Sequence, residues 1–158
     1  MLAKAEPKHR GVDFVEWLVH WLDRITARLG RTPQLAPHLA TGIRGEEAAF
    51  FHLQRQGYTV VARNWIASGI RGDLDLVAWH DGFLCFVEVK ARSRRGNIAA
   101  GFAVNSEKKR VLRRMARAYL RRHDDRDRIA VRFDILSIYF IAGAKPEFEL
   151  YPGAFSWR

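Results

Sequence analysis

Gly72-Asp73-Leu74-Asp75-Leu76-Val77 and, a short turn later, Phe86-Val87-Glu88-Val89-Lys90 decide how this chain folds. Both runs are rich in Val, Leu and Phe, residues that fit a buried pleated surface. Between them, His80-Asp81-Gly82 carries the Asp-Gly pair of a tight hairpin turn. The stretch reads as two antiparallel strands, Leu74 to Trp79 and Phe83 to Arg92. Side chains alternate along a strand, so Leu84, Phe86, Glu88, Lys90 and Arg92 share one face of the second strand, and Asp75, Val77 and Trp79 share one face of the first. If the Asp-Gly turn makes a simple hairpin, Asp75 can lie near Glu88 and Lys90, a register that the sequence alone does not fix. Ionised groups among such neighbours are costly unless they are paired or hold a metal.

Before this hairpin, Tyr58 to Ile66 reads as a strand centred on Val60 and Val61, and residues 67–72 as a turn with two glycines. Before that strand, Arg44 to Gln56 has helical periodicity, and Gly57 stands at a C′ position. Ala49, Phe50 and Leu53 form the apolar face of this helix. Glu46 precedes Ala49 and Phe50 by three and four residues and so lies on that inward face. A glutamate near a helix start also favours the helix dipole, which is the simpler account of it.

After the hairpin, residues 93–105 read as a loop carrying Arg94 and Arg95. Ser106 then caps a helix to about His123. Val111, Leu112, Met115, Ala116 and Tyr119 make its core stripe; Arg110, Arg113, Arg114, Arg117 and Arg121 cover the other side. An unbalanced basic row disfavours the helix slightly on its own and suits phosphate contacts. With Arg92, Arg94, Arg95 and Lys108 it forms the expected nucleic-acid surface. Ile129 to Ile141 reads as a last long strand, with Arg132 and Asp134 on one face. Phe148 to Tyr151 reads as an edge strand or a tail.

This order predicts an α/β fold, a mixed sheet flanked by helices, over residues 41–158. Residues 1–40 read as an extension: an amphipathic helix from Val12 to Leu29, then a linker holding Pro33 and Pro37. That helix can dock on its own domain, on a partner or on a twin subunit; with few basic residues, a membrane surface is the weakest option.

The chain has 158 residues, enough for one domain with a proper core and a short appendage. Twenty-seven Lys and Arg against 17 Asp and Glu give a net charge of +10, which suits a polyanionic partner. The single cysteine, Cys85, excludes an intrachain disulfide and any zinc site built on two cysteines. No run approaches the ~18 apolar residues of a membrane span, and the charged N-terminus lacks a signal-peptide core. A cytoplasmic location is expected.

Two carboxylates from adjacent strands and one from a helix suit Mg²⁺, a hard ion that takes oxygen ligands. Asp75 and Glu88 are the candidate strand ligands. Glu46 is the helix ligand, directly or through water, and the Val89 carbonyl can fill a further position. Lys90, on the same face as Glu88, can orient water or stabilise a phosphate. Mg²⁺, with Mn²⁺ as a substitute, would activate water for phosphodiester hydrolysis.

Gly42-Ile43-Arg44-Gly45-Glu46, Gly57-Tyr58, Arg63-Asn64-Trp65, the two hairpin runs through Ala91-Arg92, Lys108 and Arg132-Phe133-Asp134 closely resemble the YraN-like family of bacterial proteins. That family is similar to the Holliday-junction resolvases and belongs by resemblance with the restriction-endonuclease-like, PD-(D/E)xK fold. The resemblance runs from about Thr41 to Ile141. It implies a core order α-β-β-β-α-β, a catalytic set of Asp75, Glu88 and Lys90 with Glu46 as the helix carboxylate, and a homodimer cutting two strands. Leu74 stands where the named motif has proline.

Three functions fit the residues. The first is a Mg²⁺-dependent endonuclease acting on DNA, branched DNA included. The second is a nucleic-acid-binding protein that retains the fold without turnover. The third is a protein–protein adaptor in which Asp75, Glu88 and Lys90 form a structural ion network. The first is preferred, since the third leaves buried charges with no chemical return.

Overall fold

A computed structural model describes residues 37–95 and 104–157. The amphipathic segment at Val12 to Leu29 lies outside the described residues. The first described helix, α1 (Pro37–Arg55), begins earlier than the expected start at Arg44. Proline at a helix start loses no hydrogen bond, because the first amides have no partner there. The segment read as linker therefore continues into helix. At the other end, Gly57 N donates to Gln54 O and Tyr58 N to Leu53 O. This is a Schellman closure with Gly57 at φ +85°, and it turns the chain directly into the sheet.

Among the described residues five strands follow in spatial order: β1 (Thr59–Trp65), β2 (Leu74–His80), β3 (Phe83–Arg92), β4 (Ala130–Tyr139) and β5 (Glu147–Phe155). The β1–β2, β2–β3 and β4–β5 pairs are antiparallel, and β3–β4 is parallel. The parallel step requires a crossover, which α2 (Ser106–Leu120) supplies. The fold is α/β, a mixed sheet flanked by helices, in the expected order with β5 added. β5 is a full strand rather than a tail. Pro152 and Gly153 obscure it in the sequence, but an edge strand tolerates both. They sit where the β4–β5 register shifts between Phe133 and Ile135.

His80 pairs with Phe83, so the β2–β3 turn has two residues, with Asp81 at φ 48° and Gly82 at φ 78°. Left-handed conformation at both positions is what a type I′ hairpin needs. Each face of the sheet has its own core. Leu112, Met115, Ala116 and Tyr119 of α2 pack over Val77, Leu84, Phe86, Phe133 and Ile135. Ala49 and Leu53 of α1 pack over Leu76, Ala78, Cys85, Val87, Leu136 and Ile138. Cys85 is fully buried as expected, and burial pushes its thiol up to about 12.

Two glycines allow the helices to come close. A Cβ at Gly45 would stand 2.5 Å from Ala91 Cβ, so α1 can lie on β3 only because Gly45 has no side chain. A Cβ at Gly72, φ +115°, would stand 2.9 Å from Val111 Cγ1. The first turns of α2 thus press on the chain just ahead of Asp75. Asn105, not Ser106, caps α2: its Oδ1 accepts from Lys108 N at 2.8 Å. No described helix is long and apolar enough to cross a membrane.

Candidate functional site

The last β2–β3 pair is Leu76 with Val87, and one further step along this register sets Asp75 opposite Glu88. Both therefore project from the face under α2, as strand parity predicts. Beyond the paired ladder, Asp75 Oδ2 accepts the Val89 N–H at 2.7 Å. A side chain here takes the place of a strand carbonyl, which fixes the Asp75 carboxylate against β3. Glu88 is 9% exposed, and it sits two ladder positions from the apolar pair Phe86 and Phe133, on the same face.

Lys108, from the first turn of α2, completes the group. Its Nζ lies 3.0 Å from Glu88 Oε2, an ion pair whose angles are poor for a directed hydrogen bond. The sequence reading placed Lys108 on the outer nucleic-acid surface; here its ammonium reaches inward to the carboxylate. No local signal marks this contact, which depends on α2 crossing back over β3.

Burial raises the Asp75 pKa well above the ordinary range, and the Glu88 charge raises it further; the Val89 amide and Lys108 act in the other direction. Burial also raises Glu88, against the pull of Lys108 and Lys90. Lys90, on the same face as Glu88, is lowered by burial. For Lys108, burial pulls down, but Glu88, Asp75 and Asp73 outweigh it and the net shift is upward. Two acids that resist ionisation and two lysines thus share one small volume.

Asp73, which the sequence reading passed over, is the residue common to these groups: its charge acts on Asp75, Glu88, Lys108 and also Glu46. Its two-residue spacing from Asp75 was the available clue. Glu46 stands with different partners. It is half-buried, and burial raises its pKa; an Asn64 hydrogen bond opposes the shift, Asp73 adds to it, and Arg63 opposes it. Its helix, α1, packs on the sheet face opposite the one that carries Asp75 and Glu88. Among the described residues, no three His, Cys, Asp or Glu side chains come together as a metal cluster. The carboxylates that do meet are Asp75 and Glu88.

That pair fits Mg²⁺. Its donors are hard carboxylate oxygens, one of them the buried Glu88 Oε2 without a directed hydrogen bond. Mg²⁺ usually binds through one or two carboxylates and fills its remaining positions with water and substrate phosphate.

The basic residues divide into two groups. Arg113 donates from Nε and Nη2 to Ser156 O, at 3.1 and 2.9 Å. Arg117 lies over the Trp157 ring at 5.3 Å. These two members of the row hold the C-terminal segment. Arg95 is paired with Glu147 and lies 3.7 Å from Glu149, at the start of β5. Arg94, Arg110, Arg114 and Arg121 are exposed, and Arg92 is half-buried at the end of β3.

These features define an α/β protein whose mixed sheet carries a half-buried two-carboxylate, two-lysine site under one helix. The chain belongs to the uncharacterised protein family UPF0102, which it matches over residues 45–138; this family is YraN-like. It is 41% identical over 142 residues to a UPF0102 protein of Koribacter versatilis (strain Ellin345), covering 90% of this chain and 94% of that one. It is 48% identical over 111 residues to one of Solibacter usitatus (strain Ellin6076), covering 70% and 82%. Its identity to one of Myxococcus xanthus (strain DK1622) is 40% over 114 residues, covering 72% and 87%. The match to the Koribacter protein is too long to fit within residues 45–158. Part of the N-terminal segment, which the family resemblance left out, is therefore shared with that relative.

Proposed function

We propose that this chain is a Mg²⁺-dependent endonuclease that hydrolyses phosphodiester bonds in DNA, branched DNA included. One observation carries the reading: Asp75 and Glu88 stand opposite each other on one sheet face with Lys108 on Glu88 and Lys90 on the same strand face. Bound there, Mg²⁺ (or Mn²⁺) would supply a nucleophilic water at neutral pH and neutralise phosphate charge. Asp75, held by the Val89 amide, and Glu88 would hold the ion. Lys90 would orient the water or meet the phosphate as a point charge. Lys108 would offset part of the cost of ionising Glu88 before the ion arrives. The exposed arginines of α2 would take the DNA backbone alongside.

A second reading, a DNA-binding protein without turnover, draws on Lys108 as well: its ammonium already gives Glu88 a positive partner without a metal. Labelled linear, nicked and four-way DNA, incubated with Mg²⁺, Mn²⁺ or EDTA, separates the two. Cleavage is expected with either ion and not with EDTA. It should fall at least about 100-fold in Glu88→Ala and in Lys90→Ala, since even the outer partners of metal ligands are worth 10- to 100-fold. Cleavage that survives both substitutions would remove the site assignment. Binding of DNA without cleavage under any condition would favour the second reading.

A further inference from the structure

A groove of about 470 Å³ opens at the C-terminal end of α2, away from Lys108 and the carboxylates. Its apolar floor is Leu120, Ile129 and Val131, and its rim carries Arg117, Arg121 and Arg126. Trp157 forms one wall, backed by Phe133 at 5.7 Å between ring centroids, with the Arg117 guanidinium over its ring. The volume suits one small ligand. Asp127 is the single acid at the rim, and Arg126 already lies 3.9 Å from it. Three guanidinium groups outweigh that charge together with the ~0.5 negative charge of the helix end.

A flat aromatic–guanidinium wall, an apolar floor and a cationic rim match the two halves of a nucleotide. The base can stack on Trp157 or on the guanidinium plane, and the phosphate can meet the rim. The approach is also built. Arg110, Arg114, Arg117 and Arg121 recur at four-, three- and four-residue steps, which makes one exposed stripe along α2. From Lys108 to Leu120 the helix rises about 18 Å, a span of roughly five nucleotides.

We infer that this groove is a subsite for an unpaired nucleotide of a DNA strand that runs along the α2 arginine stripe from the carboxylate pair. This rests on the proposed nucleic-acid reading but not on turnover. The test uses the full chain in EDTA and two fluorescein-labelled probes: a blunt duplex, and the same duplex with a single-stranded thymidine extension, prepared at each strand end in turn. Fluorescence anisotropy should show about tenfold tighter binding of a tailed probe, the order expected for one stacked base. Trp157→Leu and the exposed-site variant Arg126→Ala should each reduce that preference to about twofold or less. Trp157→Leu, which removes no charge, should leave blunt-duplex affinity unchanged. Equal binding of tailed and blunt probes by the wild type, or a tail preference that persists in both variants, would overturn the subsite. Cleavage with Mg²⁺ but no tail preference would refute the groove and leave the nuclease reading standing. A tail preference without cleavage would do the reverse. Binding of neither probe would refute both.

Discussion

Asp134 pairs across the β3–β4 ladder with Val87, and Glu88 with Ile135, so the two acids lie one step apart and point to opposite faces of the sheet. Asp134, fully buried, takes four hydrogen bonds. Arg132 donates from Nε at 2.8 Å and from Nη2 at 3.0 Å, Tyr58 OH at 3.1 Å and Gly153 N at 2.9 Å. Arg132 also bonds Tyr58 OH and lies 3.2 Å from His80 Nδ1, and the Tyr58 and His80 rings stack. The bulge opposite Asp134 aims the Gly153 amide at it. Glu88 has a poorly aligned lysine, and its neighbour Asp75 has one backbone amide and an acid across from it. A buried carboxylate whose every oxygen is satisfied joins β4 to β5 and to Tyr58 ahead of β1, and through Arg132 to His80 at the end of β2. A pair with fewer donors, whose pKa values burial pushes up, is what the proposed cation site rests on.

Arg132→Met should give the largest effect on this contrast. It leaves Asp134 with the Tyr58 and Gly153 donors but without its charge partner, and breaking a buried ion pair in this way costs about 3 kcal/mol or more. Urea unfolding would measure it. A loss below about 1 kcal/mol would mean that the network does not hold the strands.

Asp75→Asn should act in the opposite direction and less strongly. The folded state raises the Asp75 pKa through burial and the Glu88 charge, so it prefers the protonated acid. At a pH below the ordinary aspartate value both states are protonated and there is no penalty. As pH rises through that value the unfolded chain ionises first, and stability is lost until the folded group ionises as well. Asparagine avoids this loss and can still accept the Val89 N–H. In EDTA the variant should gain about 1 kcal/mol over wild type at neutral pH, and the gain should vanish near pH 3. An equal gain at both pH values would show that ionisation of Asp75 is not the cost.

The hairpin was legible because its rules are local. An Asp-Gly pair marks the turn and two-residue alternation allows Asp75 to face Glu88, but the register that sets them opposite comes from the paired strands. Gly57 as the end of α1 was legible for the same reason. What could not be read depends on contacts distant in sequence. Lys108 reaches Glu88 only because α2 crosses back over the face that β3 presents. Arg113 and Arg117 look like free members of a row until Ser156 and Trp157 return beside them. Arg132 and Asp134 could be placed on one face, but Tyr58 and Gly153, their other partners, come from separate elements. Glu46 was read as inward-facing, and it is half-buried; its partners Asn64 and Arg63 follow from how α1 docks on the sheet.

The most direct measurement is a Mn²⁺ titration of the full chain, with free Mn²⁺ followed by electron paramagnetic resonance, on wild type, Asp75→Asn and Glu88→Gln. Wild type should bind Mn²⁺ in competition with Mg²⁺, and each substitution should weaken that binding at least about 10-fold. Mn²⁺ bound equally by all three proteins, or by none, would contradict the assignment of Asp75 and Glu88 as a cation site.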